Sequence, residues 1–217
     1  RKKFDITFQV INLYNRKMKY FFSLFIIFSI LVNPINTLAE EVVLAGGCFW
    51  CLEHDLESSK GISSVISGYS GGDLENPTYE NHDGHQEVVL VNYDPELVSL
   101  SEIYRLYFRN IDPLDGGGQF CDRGNSYKPV IFFENLEEKN EASKALLSAS
   151  KELGVRLEQI NVELKPKSQF WEAEDYHQDF ASRNELKYKF YRFSCGRDQK
   201  LDKLWKENAR SNIFWSE

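Results

Sequence analysis

Methionine occurs once in the 217 residues, at Met18, and cysteine four times, at Cys48, Cys51, Cys121 and Cys195. Four cysteines are too few to staple a domain of this size, which excludes a disulfide scaffold and leaves catalytic or redox sulfur as the better fit. Repeats and low-complexity tracts are absent, and no Pro/Gly/Ser linker divides residues 40–217, so one domain is expected there. A basic patch with interleaved aromatics is missing too. Lys and Arg number 26 against 33 Asp and Glu; residues 1–39 hold six of the bases and one of the acids, which leaves 20 against 32 and a net charge of −12 beyond them. Such a surface repels nucleic acid, and no nucleic-acid partner is expected.

What is present begins with a leader. Met18-Lys19-Tyr20 is a basic start, Phe21 to Val32 an apolar run too short for a comfortable membrane span, and Thr37-Leu38-Ala39 a small-residue cleavage pattern. Residues 1–39 therefore read as a spurious extension followed by a signal peptide starting at Met18, and residues 40–217 as the working domain. Export, into a bacterial periplasm, is the expectation; a membrane anchor formed by an uncleaved leader is the alternative. Lipid attachment at Cys48 is disfavoured, because Glu40 and Glu41 separate it from the apolar run. The lack of methionine beyond Met18 is compatible with oxidising surroundings.

The stretch Ala45-Gly46-Gly47-Cys48-Phe49-Trp50-Cys51-Leu52-Glu53 organises the rest. Val42, Val43 and Leu44 before it suit a buried strand, and Leu52, Glu53 and Leu56 after it suit a helix. Cys48 is thus expected where a strand turns into a helix, with two glycines that permit a tight bend. A thiol at a helix N-terminus meets unpaired N–H groups and the positive end of the dipole, so a lowered pKa is expected for it. Cys51 follows at i+3, close enough on a helix to react with it.

Further along, Gly61 to Tyr69 suits a second strand, ended by Gly71-Gly72 and a turn-rich loop to Gly84. Gln86 to Tyr93 is a strong strand, and Ser99 with Glu102 a capping box that opens a helix. Val130 to Phe133 is a short strand, Asn135 with Glu138 starts a helix running to Leu153, and Ile160, Val162 and Leu164 alternate as a strand ended by Pro166. The pattern then weakens into an irregular, aromatic-rich C-terminal tail with a last helix around Leu201, Leu204 and Trp205. Strands alternating with helices and hairpin-like strands predict an α+β fold, a two-layer α/β sandwich. The 42% hydrophobic content is enough for a real core.

Six blocks resemble the A-type peptide-methionine sulfoxide reductase family. They are Gly46-Gly47-Cys48-Phe49-Trp50, Ser67 to Gly72, Asn76-Pro77-Thr78-Tyr79, Gly84-His85-Gln86-Glu87-Val88, Cys121 to Tyr127, and Ala173 to Gln178. They stand in the family's order over roughly residues 42–180. The resemblance implies a ferredoxin-like core, reduction of the S epimer of methionine sulfoxide, free or in proteins, and a thioredoxin-type protein as reductant. It implies no metal and no bound cofactor; a monomer is expected.

Sulfoxide reduction needs a thiolate to attack sulfur and an acid for the departing oxygen. Cys48 suits the first role and would become a sulfenic acid. By resemblance Glu87 is the acid, protonated through burial among residues such as Val88 and Phe49. Tyr79 and Tyr127 are carried over as donors to the same oxygen, Asp122 as the group that orients them, and Phe49 and Trp50 as the wall for the substrate's methyl group. His85 is given a supporting role; His177 reads as a structural histidine. Where many members have Gly after the Trp, this chain has Cys51, which is expected to resolve the sulfenic acid. Cys195 is a candidate second relay in the tail; for Cys121, which adjoins Asp122, a structural thiol is the default and participation in the relay the alternative. Around Tyr127 the usual Gln-Tyr-Arg-Ser appears as Ser126-Tyr127-Lys128-Pro129. Two rival readings remain: a thioredoxin-like disulfide oxidoreductase using Cys48 and Cys51, and a metal-binding module using Cys48, Cys51 and His54. No second Cys-x-x-Cys completes the latter, and Leu52 excludes a c-type haem signature.

Overall fold

The computed structural model describes residues 39–212 and residue 215. The basic start, the apolar run and the cleavage pattern up to Leu38 lie outside the described residues. The elements are β1 (Glu40–Ala45), α1 (Phe49–Glu57), β2 (Ile62–Ser70), β3 (Gln86–Tyr93), α2 (Leu100–Phe108), β4 (Gly118–Gln119), β5 (Asp122–Arg123), β6 (Val130–Phe133), α3 (Leu136–Glu152), β7 (Glu163–Pro166), β8 (Trp171–Glu172), α4 (Phe180–Arg183), α5 (Glu185–Ser194) and α6 (Arg197–Trp205). Six strands form one sheet in the order β7-β6-β1-β3-β2-β8, and β4 pairs with β5. The inner four, β6-β1-β3-β2, are antiparallel neighbours joined as two interleaved strand–helix–strand units. This is the ferredoxin-like split βαβ topology.

Register explains why these strands read as near-continuous apolar runs. Val42 lies opposite Val91 and Leu44 opposite Val89, all facing the helices. There they meet Phe49, Leu52 and Leu56 of α1 and Ile103, Tyr104 and Tyr107 of α2 in the main core. The alternate residues, Val43, Ala45, Val88, Val130 and Phe132, form a smaller cluster on the opposite face, packed with Phe170. With both faces buried, alternation disappears from the middle strands.

Ser99 and Glu102 form the expected capping box. At α3, Asn135 accepts from the Glu138 amide, but the Glu138 carboxylate bonds the Asn135 side chain and the Glu134 amide, so only half of the box is built. The strand expected from Ile160 begins later. Leu157–Gln159 is a 3-10 turn, and β7 pairs with β6 in parallel, Pro166 opposite Phe133. The tail holds the expected last helix around Leu201, Leu204 and Trp205 as α6, and departs from expectation before it, where α4 and α5 are helical rather than irregular. The buried positions of α5 are Tyr188 and Arg192, while Leu186, Phe190 and Phe193 are exposed, so its apolar period points away from the core. Arg192 is held inside by Asp55 of α1 and by Asp198.

Candidate active site

The chain reaches the site through a turn that only glycines fit. A Cβ on Gly46 would stand 2.7 Å from the Ile111 side chain, and one on Gly47, whose φ is +85°, 2.6 Å from Gln119 Cβ. Cys48 then caps α1, and its side chain makes no capping bond. Instead the Phe49 amide donates to Glu87 Oε2 at 3.1 Å. The open end of the helix is occupied by a carboxyl group from β3.

A cavity of about 50 Å³ brings together Cys48, Phe49, Trp50, Tyr79, Glu87, Asp122 and Tyr127, with Tyr191 as an eighth wall. Four elements deliver them: α1, the β2–β3 loop, β3, and the β5 region with its following 3-10 turn. Glu87 is 2% exposed. Burial pushes its pKa up to about 8; the Phe49 N–H and the Tyr127 hydroxyl oppose this, and the Asp122 charge adds to it. The carboxyl is therefore mostly protonated at neutral pH. Its wall is partly other than expected, for Val88 faces the far side of the sheet by strand alternation. Burial and the proximity of Glu87 keep Tyr79 and Tyr127 protonated, as hydrogen-bond donors.

Cys48 corrects the expectation of a lowered pKa. Its thiol is raised well above the ordinary range by burial, by its hydrogen bond with Cys51 and by the charges of Cys51 and Glu87, against help from the Tyr191 hydroxyl. The helix terminus that should have favoured the thiolate is spent on Glu87. Cys51 goes the other way. Receiving the hydrogen bond of Cys48 lowers it, burial opposes this, and the Arg197 guanidinium supports it. Of the two sulfurs, Cys51 is therefore the one that ionises more readily.

Tyr191, which lies in the weakly patterned tail, donates to Asp122 Oδ2 at 2.5 Å and reaches the Cys48 sulfur, joining the two. Trp50 stacks on Phe180 with ring centroids 3.7 Å apart and meets Tyr191 edge-on. Its indole N–H donates to His177 Nδ1 at 3.0 Å, and the His177 ring packs on Phe49 at 4.9 Å. His177 thus orients both aromatics of the wall, a role its block in the sequence did not reveal. His85 pins the β2–β3 loop: its Nδ1 accepts from the Gly72 amide and its Nε2 bonds the Leu74 carbonyl. Glu53, also not singled out, is buried in α1, binds the Ser67 hydroxyl and the Asp179 amide, and burial pushes its pKa to about 7.

Cys121 is not a lone structural thiol. It forms a disulfide with Cys195, Cα to Cα 5.0 Å, so Cys195 does not stand as an independent thiol in this state. Cys48 and Cys51 are free and buried. His54 is exposed and pairs with Glu57, so it does not join the two cysteines as a metal ligand.

A buried thiol pair, a protonated carboxyl and a ring of aromatics around one small cavity define a thiol oxidoreductase. Comparison with known proteins narrows the class. Residues 40–209 match the family model described as peptide methionine sulfoxide reductase. The chain is 41% identical over 192 residues to "Peptide methionine sulfoxide reductase MsrA 2" of Rhizobium meliloti, covering 87% of this chain and 96% of the relative. Against "Peptide methionine sulfoxide reductase MsrA/MsrB" of Vibrio cholerae it is 44% identical over 178 residues, 80% of this chain, and it spans only 47% of that longer protein. Among solved structures, "Methionine sulfoxide reductase A of Corynebacterium diphtheriae" superposes with a TM-score of 0.61 at 28% identity, covering 68% of this chain and 76% of that one. The chain belongs to the peptide methionine sulfoxide reductase family, in its A-type branch.

Proposed function

We propose that this chain reduces the S epimer of methionine sulfoxide, free or within proteins, to methionine, through a sulfenic acid and a disulfide. One observation carries the reading: the protonated Glu87 carboxyl and the Cys48 thiol line the same small cavity, whose walls are Phe49 and Trp50. An apolar wall suits the substrate's methyl group, and donors on Glu87, Tyr79 and Tyr127 suit its oxygen.

The proton inventory closes. Once the thiol pair has lost one proton, the other passes from Cys48 to Cys51, the more acidic sulfur to which it is hydrogen-bonded. Its sulfur attacks the sulfoxide sulfur while Glu87 gives its proton to the departing oxygen. The oxygen then passes to the Cys48 sulfur as its bond to the substrate sulfur and the transient S–S bond both break, so methionine leaves and Cys48 is left as a sulfenic acid. The Cys51 thiol then attacks that sulfur, expelling water and forming the Cys48–Cys51 disulfide. A thioredoxin-type dithiol would return the pair to the reduced state. Function as a monomer exported behind the Met18 leader, in a bacterial periplasm, completes the reading.

The test is turnover of the separated sulfoxide epimers with dithiothreitol as reductant. Consumption of the S epimer, abolished in Cys48→Ser, is the expected result. Reduction of insulin disulfides with no sulfoxide turnover would instead favour a thioredoxin-like oxidoreductase.

A further inference from the structure

Helix α5 carries three large apolar side chains on its solvent side. Leu186, Phe190 and Phe193, at i, i+4 and i+7, share one face and are 85%, 73% and 74% exposed. Scattered exposed apolar residues are ordinary, but a contiguous stripe with two phenylalanines marks a surface that meets something. The stripe runs toward Cys195, bonded to the exposed Cys121. On one side of Gly196 lies a cleft of about 140 Å³ lined by Phe193 and Lys189. On the other lies one of about 240 Å³ lined by Phe120 and Cys195 itself.

The second thiol pair has the opposite setting. Cys48 is 6% and Cys51 1% exposed, so the surface of another protein cannot bring a sulfur to a disulfide between them. The outer disulfide is wired to the inner pair. Asp122 Oδ2 is 3.9 Å from Cys195 Sγ and accepts from Tyr191, whose hydroxyl reaches Cys48.

We propose that the Leu186–Phe190–Phe193 stripe of α5 is the landing surface for a protein dithiol reductant, and that its electrons enter at the Cys121–Cys195 disulfide. The occupant is argued from that disulfide, a group that a protein thiol must approach within bonding distance. The inference rests on the reading that the chain is a thiol-recycled sulfoxide reductase.

The electron path balances. A partner thiolate attacks Cys121, forming a mixed disulfide and freeing Cys195; the partner's second thiol then closes its own disulfide and frees Cys121. The Cys195 thiolate attacks Cys48 of the Cys48–Cys51 disulfide and expels Cys51, a good leaving group beside Arg197. The Cys121 thiolate attacks Cys195, restores the outer disulfide and expels Cys48. One partner dithiol is oxidised for each sulfoxide reduced.

The experiment follows sulfoxide turnover with dithiothreitol and, separately, with a thioredoxin kept reduced by its reductase and NADPH. In the doubly substituted Phe190→Ser/Phe193→Ser chain, KM for thioredoxin should rise by about tenfold or more, with the dithiothreitol rate unchanged. An unchanged KM overturns the landing surface. Cys121→Ser should lose thioredoxin-driven turnover, and full retention overturns the entry point. A dimer in size-exclusion chromatography that the double substitution dissociates also overturns the proposal, because a second copy then covers the stripe. Absence of dithiothreitol-driven turnover in the unmodified chain would instead remove the sulfoxide-reductase reading itself.

Discussion

The Phe49 amide donates to Glu87 Oε2 at 3.1 Å, so the positive end of α1 holds the acid rather than the nucleophile. The bond moderates a pKa that burial has pushed to about 8, and leaves Glu87 protonated at neutral pH. The rate of the first chemical step should therefore fall above about pH 8, as the proton donor is lost. Glu87→Gln should lower that rate by about 10²–10⁴-fold and remove its alkaline limb. Rapid-quench measurement of methionine formed in one turnover reads both effects, and an unaltered pH profile in Glu87→Gln contradicts the assignment.

The same residue makes a stability prediction of opposite appearance. Unfolded, Glu87 loses its proton near its ordinary pKa of about 4.3. Folded, it keeps it to about 8, so the folded chain binds the extra proton between these limits. Stability is highest from this source below about pH 4.3, falls as pH rises, and the contribution is gone above pH 8. Glu87→Gln escapes that loss and should melt several degrees above the parent at pH 9, each kcal/mol being worth about 2–4 °C in a domain of this size. Equal melting temperatures at pH 9 would show that Glu87 is not desolvated.

Cys51→Ser separates the two halves of the cycle. With no second thiol beside it, Cys48 should still release up to one equivalent of methionine and stop as a sulfenic acid. A dimedone adduct on Cys48, found by mass spectrometry, is the expected outcome. A Cys48–Cys195 disulfide in full yield would transfer the resolving role to Cys195.

The elements that carry the site were legible in the sequence because they lie where pattern is strong, whereas the roles of Glu87, Tyr79, Tyr127 and Asp122 came from the family resemblance. Cys48 follows the apolar run of β1, and Glu87 opens the equally apolar β3, so strand, turn and helix could be placed from periodicity alone. Two things were not legible. Which group receives the helix N-terminus depends on β3 lying next to β1, a contact between residues 38 positions apart, and it reversed the expected ionisation of Cys48. Tyr191 was hidden because α5 buries Arg192 and exposes Phe190 and Phe193, the reverse of the pattern that reveals a helix face, and Arg197 because α6 buries it on the same side as Leu201 and Trp205. The Cys121–Cys195 pair is a product of that same unseen packing, 74 residues apart in the chain.

Tyr191→Phe tests the missed residue. The change removes only the hydroxyl that joins Asp122 to Cys48, and leaves the ring edge-on to Trp50. A single-turnover rate lowered by about ten- to a hundredfold is expected, with stability changed by no more than about 1.5–3 kcal/mol, the net worth of one hydrogen bond to a charged group. If the rate is unchanged while stability drops, the hydroxyl is only a tie between α5 and β5.

Gly47→Ala asks how far the turn before Cys48 can be altered. Its φ of +85° costs an L-residue about 1–2 kcal/mol, and the new methyl would sit 2.6 Å from Gln119 Cβ. Gln119 cannot step aside cheaply: it is fully buried, and its amide bonds both the N–H and the carbonyl of Asp112. Overpacking of this kind adds about 1–3 kcal/mol. The sum, roughly 2–5 kcal/mol, should appear in denaturant unfolding. Gly46→Ala is crowded too, its methyl 2.7 Å from Ile111, 3.1 Å from Leu52 and 3.3 Å from Tyr107, but it has no left-handed φ, so it should lack the conformational part of the loss. Trimming Gln119 to glycine in the Gly47→Ala background removes the Cβ that the new methyl would meet, so it should relieve the crowding and leave the conformational cost, a coupling that a double-mutant cycle isolates. Equal losses for the two glycine variants would mean that crowding alone, not the left-handed turn, shapes the approach to Cys48.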